Sequence, residues 1–504
     1  MKKRIAAAVA AIILLLSGCQ ATPEKGVVTS KNDGAFEAAL EDKASPTVAP
    51  EAAEQPPTAE EQSTPAPTVL YEDSFDGEQG GGGVKFHVRV TEPTVPGPMP
   101  VLRVRPLELT GELVHQVAQV FYGDSQVNEL TGQMTRAELE EALLAEKQEY
   151  ADWQYRVEQD PSTDADDQDY VRASFEERIA RLEEECAAAP ETIEQKPLDW
   201  QFHGLDYYPN YYGIQDDGRQ SIQGLFERDG ETYELLADKR LGEDYKRQGM
   251  SVSTYIPESL AEAMYAAAQE EPQETPAVDM DAARATALEL AADMDIGEWA
   301  AVPDIALEAA AWHADFTDRV VLTPVYNGVP LTYHIGGFTP TYATDDAYAT
   351  NYGYESMSFS FDKTGVTGFG WESMHQVVEA VNENVALLPF ADILTAAENQ
   401  MRMTDLNRLG SFIEGAAVSV EVTDVVLGLS RIRVKDSSTD YYLTPTYTFY
   451  GVATVCDENG EPIPVPVYDE QGNETGQTAP IVHTTELAVI NAVDGTAIDV
   501  YKGY

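Results

Sequence analysis

Cysteine is nearly missing from this 504-residue chain, which has three: Cys19, Cys186 and Cys456. So few thiols exclude a disulfide-stapled scaffold, and no Cys-x-x-Cys or Cys/His spacing of the zinc type occurs. Cys186 falls on an apolar helical stripe, where a small thiol packs well, and Cys186 and Cys456 read as buried and free. Basic residues are scarce too, 32 against 87 acidic ones, for a net charge of −55. Such a field repels nucleic acid, so no nucleic-acid partner is expected. The usual catalytic words are also missing: no Gly-x-Ser-x-Gly and no His-Glu-x-x-His. Ser360-Phe361-Asp362-Lys363 and Lys363-Thr364-Gly365 fit two penicillin-binding elements, but they share Lys363 at a hairpin turn, so the match is accidental. The glycines at 80–83 lack the following Lys-Ser/Thr of a phosphate-binding loop. The seven histidines are dispersed, and His313 beside Trp312 reads as a packed or surface residue. No catalytic residue, metal ligand or cofactor is expected.

What is present begins with three ordered regions at the N-terminus. Lys2, Lys3 and Arg4 are basic, Ile5 to Leu16 form an apolar or small run, and Leu16-Ser17-Gly18-Cys19 closes it. The run is shorter than the about 20 residues that span a bilayer and has the length of a signal-peptide core. The closing tetrapeptide resembles the lipobox of bacterial lipoproteins. That resemblance implies a signal peptide over 1–18 and a diacylglyceryl group on the Cys19 thiol. The chain would then sit on the outer face of the cytoplasmic membrane. Residues 19–67 are rich in Pro, Ala, Glu, Thr and Ser, a composition that buries too little apolar surface to fold, and they read as a flexible linker. One island, "VVTSKNDGAFEAALE" (27 to 41), has apolar residues and a turn signal and reads as a short docked element or a transient helix.

The remaining chain reads as α+β. An α+β domain is expected over 68–269. It includes a helical hairpin over 135–190, opened by the capping box Thr135/Glu138. Leu139, Leu143, Tyr150, Trp153 and Val157 form one apolar seam of the hairpin, with Glu146 in one slot; Val171, Phe175, Ile179, Leu182, Cys186 and Ala189 form the other. Its connection clusters Asp160, Asp164, Asp166, Asp167 and Asp169 but lacks the glycine and terminal glutamate of a calcium loop, so solvated aspartates are expected. The acidic, proline-bearing 270–279 is the best internal boundary. Beyond it, helix-plus-antiparallel-meander units are expected over 279–375 and 385–504. The two share the words Leu322-Thr323-Pro324-Val325-Tyr326 and Leu443-Thr444-Pro445-Thr446-Tyr447.

The order helix then meander, ending in "VINAVDGTAID", resembles PepSY-type and related cystatin-like modules of exported bacterial proteins. That resemblance implies a role in binding or restraining a protein partner. The lipobox, "SKNDGAFEAAL" and the strand over 88–104 also resemble uncharacterised lipoproteins of Gram-positive gut anaerobes, a likeness that implies no activity. Tyrosine clusters beside polar turns at Tyr207, Tyr208, Tyr211 and Tyr212 and again at Tyr342, Tyr348, Tyr352 and Tyr354. Tyrosine offers a rigid apolar face with a polar tip, suited to a protein or a sugar ring, and equally suited to covering its own sheet. The expected function is a membrane-anchored, non-enzymatic binding or regulatory module for an envelope protein or glycan. A glycan-binding adhesin, a solute-binding subunit and an envelope hydrolase are the alternatives.

Overall fold

The computed structural model describes residues 36, 40, 70–77, 83–130, 134–159, 165–204, 219–241, 246–255, 278–310, 318–334, 353–404, 406, 409, 413, 415–434, 437, 439–468 and 474–500. Within them the class is α+β, with six helices and two large sheets, the first mixed and the second antiparallel. No helix among the described residues is long and apolar enough to cross a membrane.

The first sheet runs in the order Leu70–Asp76, Val84–Thr91, Ala417–Arg433, Tyr441–Cys456, Val101–Pro106 and His375–Asn382, with Val482–Asn491 also paired to Tyr441–Cys456. The second runs Val329–Pro330, Arg319–Tyr326, Ser356–Asp362, Gly365–Glu372, Lys246–Thr254, Glu231–Leu241, Arg219–Arg228 and Asn128–Glu129, with short strands paired at both ends. The second sheet is therefore built entirely from chain that lies between two neighbouring strands of the first. Those two, Val101–Pro106 and His375–Asn382, pair antiparallel, and Leu107 N donates to Met374 O at 2.9 Å where the chain leaves and returns.

This corrects the serial partition into 68–269, 279–375 and 385–504. The strands of 70–106 complete the sheet of the last unit, and Met250 of the first segment pairs with Trp371 of the second. The physical reason is edge satisfaction. A helix-plus-meander unit closed on itself would leave long unpaired strand edges, and each unit covers an edge with strands from elsewhere in the chain. Helix Met280–Asp293 precedes the strands from Arg319, and helix Phe390–Arg402 precedes those from Ala417.

The shared Leu-Thr-Pro word has a topological cause. Along one edge of Tyr441–Cys456, pairing with Val101–Pro106 stops at Leu443 and pairing with Val482–Asn491 begins at Thr446. Along one edge of Arg319–Tyr326, pairing with Ser356–Asp362 stops at Leu322 and pairing with Val329–Pro330 begins at Val325. Pro324 and Pro445 lie where that edge changes partner, so the donor that proline lacks is not needed by a continuous ladder. Each proline carbonyl accepts from the incoming segment, Pro324 from Leu331 N and Pro445 from Ala492 N, both at 2.8 Å.

Each sheet packs a core against helices. Phe390, Ile393, Leu394, Ala397 and Met401 recur at three-four spacing and bury one face of their helix against Phe86, Val420, Tyr447 and Phe449. In the second sheet, Val114, Val117, Ala118 and Phe121 of helix Gly111–Tyr122 and Ala283, Ala287 and Ala291 of helix Met280–Asp293 cover Ile222, Leu235, Phe359 and Phe369. Gln116 Nε2 joins these two helices by donating to Met294 O at 3.0 Å.

The hairpin helices are Arg136–Gln159 and Ala165–Ala188. Thr135 N donates to Glu138 Oε2 at 2.6 Å, and Thr135 Oγ1 accepts from Glu138 N at 3.3 Å, a closed capping box. Phe175 is buried, stacked on Tyr150 at 5.1 Å and under the Arg178 guanidinium at 4.5 Å. The polar slot of Glu146 is answered across the seam, where Arg178 Nε donates to its Oε1 at 2.7 Å. Cys186 is half-buried rather than fully enclosed, because a two-helix seam has one open side; Cys456 is buried, and both are free. Replacing Phe175 with alanine removes the ring on which the seam closes, a cost of about 3 kcal/mol. Hydrogen exchange over 136–188 should accelerate while the sheets keep their protection, and unchanged exchange there would refute the seam.

Candidate functional site

Strand Ala417–Arg433 begins with one face buried, Val418, Val420 and Val422 alternating with less buried neighbours, and ends with both faces buried from Leu427 to Ile432. The change marks where chain of the second sheet lies across the first. Leu331 pairs with Leu429 in parallel, and Thr332 N donates to Leu429 O at 2.8 Å. The face so covered is polar: Ser430, Thr444, Thr446, Thr448 and Asn491 are all 0% exposed. Buried hydroxyls and amides demand partners, and this stripe supplies many of its own.

At its centre lies His334. Its Nδ1 is 2.6 Å from Glu486 Oε2 and its Nε2 is 3.0 Å from Ser430 Oγ. Ser430 Oγ also bonds Thr446 Oγ1 at 2.8 Å. Beside it, Arg431 is fully buried. Its Nη1 donates to Gly353 O at 2.7 Å, and its guanidinium lies 4.0 Å over the Tyr354 ring and 5.3 Å from that of Tyr441. The Tyr354 ring meets His334 edge-on at 4.7 Å. Glu355 then accepts from Trp371 Nε1 at 3.1 Å, from His375 N at 3.2 Å and from Tyr326 OH at 3.4 Å, with His375 Nδ1 3.3 Å away. The consecutive residues Gly353, Tyr354 and Glu355 thus touch both sheets, one through Arg431 and the other through Trp371.

Burial governs the proton affinities here. Burial raises the Tyr354 hydroxyl, against the opposing pull of Arg431, and burial together with Glu486 raises Tyr450 well above the usual range. Burial lowers His375 despite the Glu355 hydrogen bond and charge that favour its cation. Burial also lowers His483, to about 4.

Serine, histidine and carboxylate in this bonding order match the connectivity of a catalytic triad. The surroundings argue otherwise. A triad serine must meet substrate beside donors that stabilise an oxyanion. Ser430 lies within a paired strand, has no exposed surface, and spends its hydroxyl on Thr446 as well as His334. The arrangement is suited to fixing a chain crossing inside the protein.

Of the residues singled out by sequence, Tyr354 is 5% exposed and carries Arg431, which places it inside rather than on a partner surface. Tyr207, Tyr208, Tyr211, Tyr212, Tyr342, Tyr348, Tyr352 and Cys19 lie outside the described residues. The Ser360–Gly365 segment is a strand end and hairpin turn in which Asp362 Oδ1 accepts from Thr364 N at 2.7 Å and Gly365 N at 3.2 Å, not a helix start bearing a nucleophile. Sequence reasoning missed His334, Ser430 and Glu486, which stand 96 and 152 residues apart in their two bonds and form no local word. The available signal was the alternation Thr444, Thr446, Thr448 within an otherwise apolar strand.

Neither a protein-family description nor a curated protein matches the chain. A solved structure, an uncharacterized protein from Eubacterium rectale ATCC 33656, is similar over 56% of this chain and 76% of its own, at 13% identity and a TM-score of 0.26, too low to carry an argument.

His375 and His483 have proton affinities depressed by burial, so both are favoured neutral in the fold. Below the ordinary histidine value of 6.5 the unfolded chain binds protons that the folded one does not, and stability falls as pH drops from there toward 4. Thermal midpoints should decline across this window. The decline should be shallower in His375→Gln, which keeps a hydrogen-bonding side chain; parallel profiles would show that His375 does not resist protonation.

Proposed function

We propose that the chain is an extracytoplasmic lipoprotein, held on the outer face of the cytoplasmic membrane through Cys19. It acts there as a non-enzymatic binding or regulatory module for an envelope protein or glycan. The observation that carries the location is the ordered N-terminus: Lys2, Lys3 and Arg4, the apolar run to Leu16, then Ser17-Gly18-Cys19. Two acyl chains on one cysteine suffice for stable anchoring, since each buried methylene contributes about 0.8 kcal/mol. The likeness to PepSY-type modules supports a binding role. The burial of Ser430 supports the non-enzymatic half, because the best-formed nucleophile–base pair among the described residues is sealed.

The triad order favours one second reading, an envelope hydrolase that exposes Ser430 on meeting its substrate. Two experiments test the anchor and separate the two readings in turn. Cys19→Ala should move the protein from the detergent phase to the aqueous phase on partitioning, or leave its signal uncleaved; membrane retention of a correctly cleaved variant would defeat the anchor. The purified wild type should remain unlabelled by a fluorophosphonate, as should Ser430→Ala. Labelling of the wild type that disappears in Ser430→Ala would establish the hydrolase instead.

A further inference from the structure

The helical hairpin stands apart from both cores. None of its described apolar residues belongs to either, and its two helices pack mainly on each other. It also carries the most exposed large apolar side chains. On helix Arg136–Gln159, Leu144 is 70% and Tyr155 64% exposed, whereas no such described residue outside the hairpin exceeds 47%. This helix has two seams rather than one. On the inner side, Tyr150 and Trp153 meet Phe175 of helix Ala165–Ala188. On the side turned away, Ala137, Glu141, Leu144, Gln148, Ala151 and Tyr155 repeat the four-three spacing of a pairing seam, and all six are exposed.

The two seams treat their carboxylates differently. Glu146 fills a slot of the inner seam, and Arg178 on the facing helix donates from Nε to its Oε1 at 2.7 Å. Glu141 fills a slot of the outer seam, with Glu140 and Asp152 along its flanks, and none of the three has a basic partner among the described residues. The hairpin cannot supply one. Five of the six basic side chains on its two helices are already paired with nearby carboxylates. The two helices carry fifteen acidic residues. A carboxylate enclosed in a helix-pairing seam needs a cation opposite, because desolvation leaves its charge otherwise uncompensated.

We infer that the outer face of helix Arg136–Gln159 is a docking surface for a cationic amphipathic helix of a protein partner. Apolar residues of that helix cover Leu144 and Tyr155, and a basic residue meets Glu141 as Arg178 meets Glu146. A second copy of this chain would bring the same excess of acid, and nucleic acid or anionic headgroups are repelled by it, so the charges select a cationic segment. The inference rests on the binding-module reading and deepens it by naming the chemistry of the partner.

The test uses the mature full-length protein and a synthetic three-heptad peptide with leucine and arginine at its seam positions and lysine on its flanks. A control peptide keeps the leucines and carries glutamate in place of every basic residue. Binding is read by titration calorimetry at about 0.15 M salt, where attraction between distant exposed charges is screened, and the footprint by hydrogen exchange. Wild type should bind the basic peptide with slowed exchange over 137–155, and should not bind the acidic one. Leu144→Ser/Tyr155→Ser should weaken binding by at least about tenfold. Glu141→Lys should also weaken it, and a peptide with glutamate in place of the seam arginine should restore it. Both variants alter exposed residues, so exchange in the free hairpin should match wild type. No binding by wild type overturns the inference, and so does binding indifferent to both variants, which is charge attraction alone. A footprint confined to other parts of the molecule overturns this surface and leaves the binding reading standing. Failure of that reading shows separately: fluorophosphonate labelling of Ser430 would defeat it whatever the peptide does.

Discussion

A fully buried arginine constrains the junction between the two sheets. Desolvating a guanidinium costs several kcal/mol, and that cost is recovered only where acceptors and π-faces surround it closely. Arg431 obtains both from one short segment, the Gly353 carbonyl and the Tyr354 ring. The next residue, Glu355, is held by Trp371 and Tyr326 of the second sheet and by the His375 amide of the first. Moving the segment would strip acceptors from a charge on one side and from indole and amide donors on the other. The position of the second sheet against the first is therefore fixed by polar chemistry as well as by apolar area. The His334 bonds to Glu486 and Ser430 extend the same constraint along the crossing.

The constraint accounts for other features. A threonine-bearing strand face normally meets water, yet Thr444, Thr446 and Thr448 are enclosed because the inserted lobe folds back over them. Helix Asp304–Ala310 takes part in this cover, with Val302, Ala306 and Val321 packed around Tyr450. Close approach continues at Gly451, where a Cβ would lie 2.6 Å from the Glu421 carbonyl oxygen; only glycine lets the strands lie as they do. The opposite face of the same strand, Leu443, Tyr447 and Phe449, packs in the helix-covered core. One strand thus serves two cores of different character, with its alternation dividing them.

Much of this was legible locally. The hairpin could be read from the capping box at Thr135 and Glu138 and from the seam through Phe175, because helix signals span only a few residues. What was not legible is non-local. Nothing near Val84 announces that it pairs in parallel with Val418, and nothing near Val101 announces His375–Asn382 as its neighbour. The repeated Leu-Thr-Pro word looked like the trace of a duplicated unit. It is explained by two strands that each change partner at a proline. His334, Ser430 and Glu486 were invisible for the same reason, since their meeting depends on the insertion and on no periodicity of their own.

A sealed polar junction, rather than an open site, is the physical core of the proposal that this chain binds or regulates instead of catalysing. The most direct test is differential scanning calorimetry of the wild type beside Arg431→Met, which keeps side-chain length and removes the charge together with the donor to the Gly353 carbonyl. If the junction couples the sheets, the wild type unfolds in one transition whose calorimetric and van't Hoff enthalpies agree, and Arg431→Met separates it into two. Two independent transitions in the wild type, or a single unshifted transition in Arg431→Met, would contradict the account.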